Sequence, residues 1–220
     1  MINVAIDGPS GAGKSSICTE AAKRLGFVHV DTGALYRTIA YSAIIHSINT
    51  DDEISLKNLL NMTKVEILFE NDTQTVLLNG ENINDKIRSE EVSLKASDVS
   101  KIPIVREFLL DLQRELARNG NVLMDGRDIG TVVLPNADVK IFLTASPEKR
   151  AERRYLQLLA KGEKIEYNNV LDKIIKRDYQ DSHREIAPLK PSDDSIIVDT
   201  SELTFEDSVK KIIEIIEEKV

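Results

Sequence analysis

A chain of 220 residues, 41% hydrophobic and 30% charged, is long enough for one main hydrophobic core carrying small insertions. Its formal net charge of −8 excludes broad, charge-driven binding of nucleic acid, because a phosphate backbone requires a basic face. No run approaches the roughly 18 apolar residues of a membrane span, no basic-then-apolar leader opens the chain, and the lone Cys18 excludes an intramolecular disulfide and a cysteine-cluster metal site, so a cytoplasmic protein without a membrane partner is expected.

The first element is a strand, Asn3–Ile6, and it runs directly into Gly8-Pro9-Ser10-Gly11-Ala12-Gly13-Lys14-Ser15, a complete phosphate-binding loop. Gly8, Gly11 and Gly13 lack the Cβ that would keep the backbone from wrapping an anion. Backbone N–H groups of the turn and of the helix behind it point at one concavity, where the helix dipole favours negative charge. Gly8, Pro9, Ser10, Gly11, Ala12, Gly13, Lys14, Ser15 and Ser16 are therefore the candidate contacts to triphosphate, with Lys14 reaching the β and γ groups and Ser15 ligating Mg2+. The helix, Ser15–Leu25, carries Ile17, Ala21 and Leu25 on one face, packs Cys18, and stops at Gly26.

A second strand, Phe27–Val30, leads to Asp31-Thr32-Gly33-Ala34-Leu35-Tyr36-Arg37. Between about Lys64 and Lys86 the alternation of strand and helix breaks: Val65–Phe69 and Thr75–Leu78 flank Asn71-Asp72-Thr73 and read as an inserted β-hairpin, followed by a turn at Gly80. Val105, Leu109, Leu112 and Leu116 stripe a helix over Ile104–Arg118, before Asn119-Gly120. Strands at Val122–Met124, Val139–Leu143 and Ile196–Val198 follow, and Val209, Ile212, Ile213 and Ile216 mark a last amphipathic helix. Strands alternating with helices imply an α/β fold with a parallel sheet covered on both faces. The polar stretch Lys161-Gly162-Glu163-Lys164 reads as a flap between two helices.

In such a sheet, ligands gather beyond the carboxyl ends of the strands, so the residues just after each strand carry the site. Arg37 can fork onto a phosphate from the first turns of a helix, and a surface ion pair is the competing reading. After the third strand comes Asp125-Gly126-Arg127-Asp128-Ile129-Gly130-Thr131. Asp125, ending an apolar strand, either positions Mg2+ through water or anchors Arg127 or the loop backbone. Arg150, Arg153 and Arg154 share a helix face and repel unless an anion or a carboxylate gathers them; Glu148 and Glu152 are the local candidates. Arg177, Asp181 and Arg184 fall at i, i+4 and i+7 on another helix, where an ion-pair ladder is the simple account. The three histidines, His29, His46 and His183, have no metal-ligand spacing and read as surface or core residues.

Together the phosphate loop, Asp31–Arg37, Asp125–Val133 and Arg177-Asp178-Tyr179-Gln180-Asp181-Ser182-His183-Arg184 resemble the bacterial cytidylate kinases, within the P-loop nucleoside monophosphate kinases, almost end to end. The resemblance implies a P-loop NTPase fold, a five-stranded parallel sheet flanked by helices, with a core over about 1–60, 99–154 and 169–220, a small β-containing monophosphate-binding insertion over about 61–98 and a short lid over about 155–168. It implies direct in-line transfer from ATP, with Mg2+, to CMP or dCMP, in pyrimidine nucleotide metabolism. Thr32, Arg106 and Asp128 would address the cytosine edge; Arg37, Arg127 and Arg184 the acceptor phosphate; Ser97, Arg177 and Asp181 the sugar. Lys14, Arg127, Arg150, Arg153 and Arg154 would surround the moving phosphoryl group, so no nucleophilic triad is needed. A kinase acting on UMP, AMP or a non-nucleotide acceptor, and an ATP-binding regulator, are the alternatives. Small-molecule partners only are expected, and a monomer, since no apolar stripe is left over.

Overall fold

In chain order the elements are β1 (Asn3–Asp7), α1 (Lys14–Leu25), β2 (Val28–Asp31), α2 (Thr32–Ile45), α3 (Glu53–Asn61), β3 (Val65–Glu70), β4 (Thr73–Leu78), β5 (Glu81–Asn82), α4 (Glu90–Val99), α5 (Pro103–Leu116), β6 (Val122–Gly126), β7 (Val139–Thr144), α6 (Pro147–Ala160), α7 (Tyr167–His183), β8 (Ile196–Asp199) and α8 (Phe205–Glu217). These come from a computed structural model that describes residues 1–70, 73–118 and 120–220, leaving out the side chains of Glu70 and Thr73. The expected turn residues Asn71 and Asp72, and Asn119 at the expected helix stop, lie outside the described residues.

A five-stranded parallel sheet in the order β2-β6-β1-β7-β8 forms the centre, as expected for the α/β class. Alternation along β1 explains the layering, since successive strand side chains point to opposite faces. Val4 and Ile6 join Cys18 and Ala21 of α1 and Val209, Ile212 and Ile216 of α8 on one face; Ala5 joins Val30, Met124, Ile129 and Val133 on the other. Each fully buried aliphatic side chain contributes about 1.5–3 kcal/mol, so the fully buried Ile212 is a principal anchor of α8. Thr204 caps that helix by accepting from the Asp207 N–H at 3.1 Å.

The inserted hairpin is a three-stranded antiparallel sheet, β3-β4-β5, in which Val65 pairs with Leu78 and Leu78 with Glu81. Its inward residues do not form a core of their own. Val76, Leu78 and Ile83 pack with Leu35 and Ile39 of α2, Leu56 and Leu59 of α3, Val92 of α4 and Leu109 of α5. Helix α6 continues to Ala160 and α7 starts at Tyr167, so the flap expected at 161–164 joins two helices that pack through Ala151, Leu158, Val170 and Ile174. Among the described residues, no helix is long and apolar enough to cross a membrane.

Candidate active site

Parallel register brings three acidic residues level at the carboxyl edge of the sheet: Asp125 pairs with Ile6 and with Asp31, and Asp7 pairs with Gly126. The phosphate loop springs from this edge. Gly8 must be glycine, because a Cβ there would lie 1.9 Å from the Leu143 carbonyl oxygen and its φ is +150°. Helix α1 starts after Gly13, in the left-handed conformation, with no side chain capping it, so its first N–H groups remain available to phosphate oxygens. Lys14 Nζ folds back over the loop and donates to the carbonyls of Gly8 and Pro9, each at 2.8 Å. Burial, and then the positive charge of Arg127, bring Lys14 down to about 7, against the pull of Asp125, Cys18 and Asp7. Pro9 and Ala12 are buried, whereas Ser15 and Ser16 are exposed at the start of α1.

Ser15 Oγ donates to Asp125 Oδ2 at 3.0 Å. A hydroxyl and a carboxylate oxygen at the loop's edge are hard donors of the kind Mg2+ takes, so these two residues fit a phosphate-associated Mg2+. Asp125 is buried, which opposes its ionisation, yet its carboxyl is held below the usual range by His29, Lys14 and Ser15. The alternative that Asp125 anchors Arg127 is not what its side chain does: its partners are Ser15 and His29.

On the acceptor side, Asp128 is buried between two guanidinium groups, with Arg106 of α5 bonded to Oδ2 and Arg184 Nη2 3.6 Å from Oδ1. Thr32, the first residue of α2, donates to the Asp125 carbonyl at 2.8 Å and keeps its lone pairs for a donor from a ligand. Arg37 Nη2 donates to Asp31 Oδ2 at 2.7 Å, and Asp31 also caps α2 through the Ala34 N–H at 3.1 Å. Arg127 Nε donates to Asp181 Oδ2 at 3.0 Å. Ser97 Oγ, Arg177 Nε and Arg184 Nη2 are buried without a hydrogen-bond partner among the described residues. Burial lowers Arg177, and the nearby charges of Arg127 and Arg37 add to that. Like charges gathered around orphaned donors suit an anionic ligand.

Several local readings change in three dimensions. The ladder on α7 does not form: Asp181 pairs with Arg127, and α7 ends at His183, leaving Arg184 extended at φ −69°, ψ 144°. There Arg184 Nε donates to the Ala187 carbonyl at 2.6 Å while Leu189 N–H caps the Asp181 carbonyl at 2.8 Å. Arg150 is gathered by Asp178 of α7, in a fork of 2.9 and 2.5 Å, rather than by Glu148 or Glu152, and also donates to the Ser10 carbonyl at 3.0 Å. Arg153 donates to the Thr200 carbonyl at 2.6 Å, and Arg154 is exposed. The three arginines therefore do not converge as a cluster.

Two residues escape sequence reasoning. Asp7, the last residue of β1, accepts from the N–H groups of Ile129 and Gly130 at 2.7 and 2.8 Å, holding the wide turn 129–133 that follows Asp128. Burial raises Asp7 to about 6, against those two N–H groups. A charge ending an apolar strand is its only signal in the sequence. His29 bonds Asp125 at 2.7 Å instead of standing as an unassigned surface or core residue.

A phosphate loop and an arginine-lined acceptor side on one edge of a doubly wound sheet define a small-molecule P-loop phosphotransferase. The family model described as cytidylate kinase matches residues 4–218. Curated cytidylate kinases are similar along nearly their whole length: that of Caldicellulosiruptor bescii is 49% identical over 97% of this chain and 95% of its own. That of Geobacillus sp. is 48% identical over 100% and 98%, and that of Carboxydothermus hydrogenoformans 46% identical over 99% and 98%. The chain belongs to the cytidylate kinase family and is a nucleoside monophosphate kinase. Among solved structures, a shikimate kinase from Bacteroides thetaiotaomicron (TM-score 0.50, 14% identity, 98% of each chain) and a gluconokinase from Sinorhizobium meliloti (TM-score 0.50, 14% identity, 99% of this chain and 92% of that one) share the fold.

Proposed function

We propose that the protein transfers the γ-phosphoryl group of ATP to CMP and dCMP, giving CDP and dCDP, by in-line displacement. The observation that carries this reading is Asp128, a buried carboxylate between Arg106 and Arg184 and next in sequence to Arg127. Cytosine presents an exocyclic amino donor where uracil presents a carbonyl acceptor. Asp128 and the free lone pairs of Thr32 accept from the former and repel the latter. Arg106 supplies a donor for the cytosine ring's acceptors.

Arg37, Arg127 and Arg184 hold the acceptor phosphate; Ser97, Arg177 and Asp181 meet the sugar, and the unpartnered Ser97 Oγ and Arg177 Nε support that assignment. Lys14 and the backbone N–H groups of residues 8–16, Pro9 excepted, hold the triphosphate. Ser15, with Asp125 nearby, would hold Mg2+, which would supply positive charge to the phosphates. The acceptor oxygen is already anionic, so these residues align it and neutralise charge, and no side chain has to remove a proton. The insertion over about 61–98 and the lid over about 155–168 exclude water from the site.

An ADP-release assay with CMP, dCMP, UMP and AMP tests the proposal. CMP and dCMP are expected to outpace the other two. Equal turnover of all four would leave a kinase of broad acceptor range, and ATP hydrolysis indifferent to CMP would favour the regulator.

A further inference from the structure

Both oxygens of Asp125 are engaged, one by Ser15 and the other by His29 Nε2 at 2.7 Å. The opposite ring nitrogen, Nδ1, lies 3.0 Å from Thr19 Oγ1. That hydroxyl has one proton, and it donates it to the Ser15 carbonyl at 2.8 Å. Thr19 Oγ1 can therefore only accept from His29, so Nδ1 carries a proton and Nε2 is the ring nitrogen turned to Asp125. Nε2 meets the Asp125 carboxylate at hydrogen-bond distance, a position filled either by a proton or, when that proton is lost, by a metal cation bonded to both.

A third ligand atom stands beside them. The Cys18 thiol, the His29 ring and the Asp125 carboxylate each offer one donor atom, and these atoms all lie within 4.8 Å of one another. Cys18 is fully buried on the first turns of α1, and the His29 side chain is 10% exposed at its open side. The set mixes sulfur, nitrogen and oxygen, which suits a borderline cation of the zinc class and not the all-oxygen preference of Mg2+. Thr19 provides the remaining requirement of a ligating histidine, an acceptor for its other ring N–H.

We propose that Cys18, His29 and Asp125 form a binding site for a zinc-class divalent cation, which shares Asp125 with the place of Mg2+ at Ser15 but draws its other two ligands from Cys18 and His29. Binding forms a sulfur–metal and a nitrogen–metal bond and releases to solvent the Cys18 thiol proton and any proton on His29 Nε2; the Asp125 carboxylate supplies the third bond. Thiolate and carboxylate together balance the two positive charges, so the buried site becomes neutral. Drawing Asp125 towards Cys18 and His29 loosens its bond to Ser15, so the cation inhibits phosphoryl transfer. That last consequence rests on the Mg2+ role read for Ser15 and Asp125; the binding does not.

The test uses the full chain without nucleotide, titrated with Cd2+ and followed by the ultraviolet thiolate-to-cadmium charge-transfer band, with Zn2+ as competitor. A band that saturates at one equivalent and is displaced by Zn2+ is expected. Cys18→Ala should abolish it with at most a small loss of melting temperature, Cys18→Ser should abolish it at a larger stability cost from its buried hydroxyl, His29→Phe should weaken Cd2+ binding at least about tenfold, and Thr19→Val by about tenfold. The absence of a band, a band indifferent to His29→Phe, or Zn2+ affinity unchanged in both Cys18 variants overturns the site. So does nitrogen-15 NMR showing both His29 ring nitrogens protonated with Zn2+ present, which would make the contact a plain imidazolium–carboxylate pair. Zn2+ should inhibit the parent and spare Cys18→Ala; cysteine-dependent binding without inhibition would uphold the site and count against the Mg2+ role of Asp125.

Discussion

Arg127 and Asp181 are 54 positions apart in the chain, yet the Arg127 Nε donates to Asp181 Oδ2 at 3.0 Å. The bond joins the turn after β6 to the last turns of α7. Its carboxylate is buried and its guanidinium is about a quarter exposed, so the arginine has a face left for a ligand. Arg127→Ala is expected to lower kcat/KM for CMP by about 10²-fold, as loss of one aimed cationic donor does, with a much smaller effect on the KM for ATP. Steady-state kinetics with each substrate varied in turn checks this, and equal losses for both would make Arg127 a structural residue.

Lys14 has a proton equilibrium near neutrality. With its value brought down to about 7 by burial and Arg127, the ammonium is mostly neutral at pH 8 in the free enzyme. Phosphate oxygens placed beside it favour the charged form and raise that value. Binding a triphosphate at pH 8 should therefore take up protons, and Lys14→Met should abolish most of the uptake. Calorimetry in buffers of different ionisation enthalpy measures it directly; no buffer dependence in the parent would remove this account of Lys14.

The division between legible and hidden features follows contact range. Strands such as Val139–Thr144 and the stripe of α8 were legible because periodicity is local, and the phosphate loop because its spacing is local too. Arg37, Arg127 and Asp128 could be singled out because topology sends strand ends to one edge. What could not be read was pairing between distant segments: Asp178 on Arg150, Asp7 on the turn at Ile129, and His29 on Asp125. Arg184 was misplaced for the same reason, since helical spacing cannot show that the Ala187 and Ser100 contacts draw it out of the helix.

Asp7 should leave a pH signature in stability. Its folded value of about 6 lies above the ordinary 3.8, so the native state holds a proton that the unfolded state has released between those pH values. The contribution of this group to stability therefore falls as pH rises through that window, by roughly 3 kcal/mol in all, and is level above it. Denaturant titrations of the parent and Asp7→Asn, compared from pH 4 to 8, should show the difference between them move against the parent up to about pH 6 and then flatten. A difference moving the other way would mean that the Ile129 and Gly130 N–H groups outweigh burial.

Gly126 separates Asp125 from Arg127 where space is lacking. A Cβ there would lie 2.6 Å from Ile129 Cδ1 and 2.7 Å from Thr32 Oγ1. Both neighbours belong to the acceptor side, one in the turn after Asp128 and the other bonded to the Asp125 carbonyl. Gly126→Ala should therefore raise the KM for CMP more than that for ATP, at a stability cost of about 1–3 kcal/mol from overpacking. Thermal melts and two-substrate kinetics read the two effects separately, and a variant with parental acceptor use would show that the turn yields without cost.

Asp128 carries two burdens that one substitution separates. It is the carboxylate partner of both Arg106 and Arg184, so Asp128→Ala leaves buried guanidinium groups without it and should cost about 3–5 kcal/mol of stability. Turnover alone would confuse that loss with a loss of recognition. The ratio of kcat/KM for CMP over UMP does not depend on the folded fraction, because both substrates meet the same active molecules. If the carboxylate selects the amino group of cytosine, the ratio should fall at least about tenfold, since a hydrogen bond to a charged acceptor is worth about 1.5–3 kcal/mol. Asp128→Asn, which keeps the shape and can turn either an oxygen or an amide to the base, should narrow the ratio with less damage to stability. An unchanged ratio in both variants would assign Asp128 to holding its arginines and move base selection to Thr32 and Arg106.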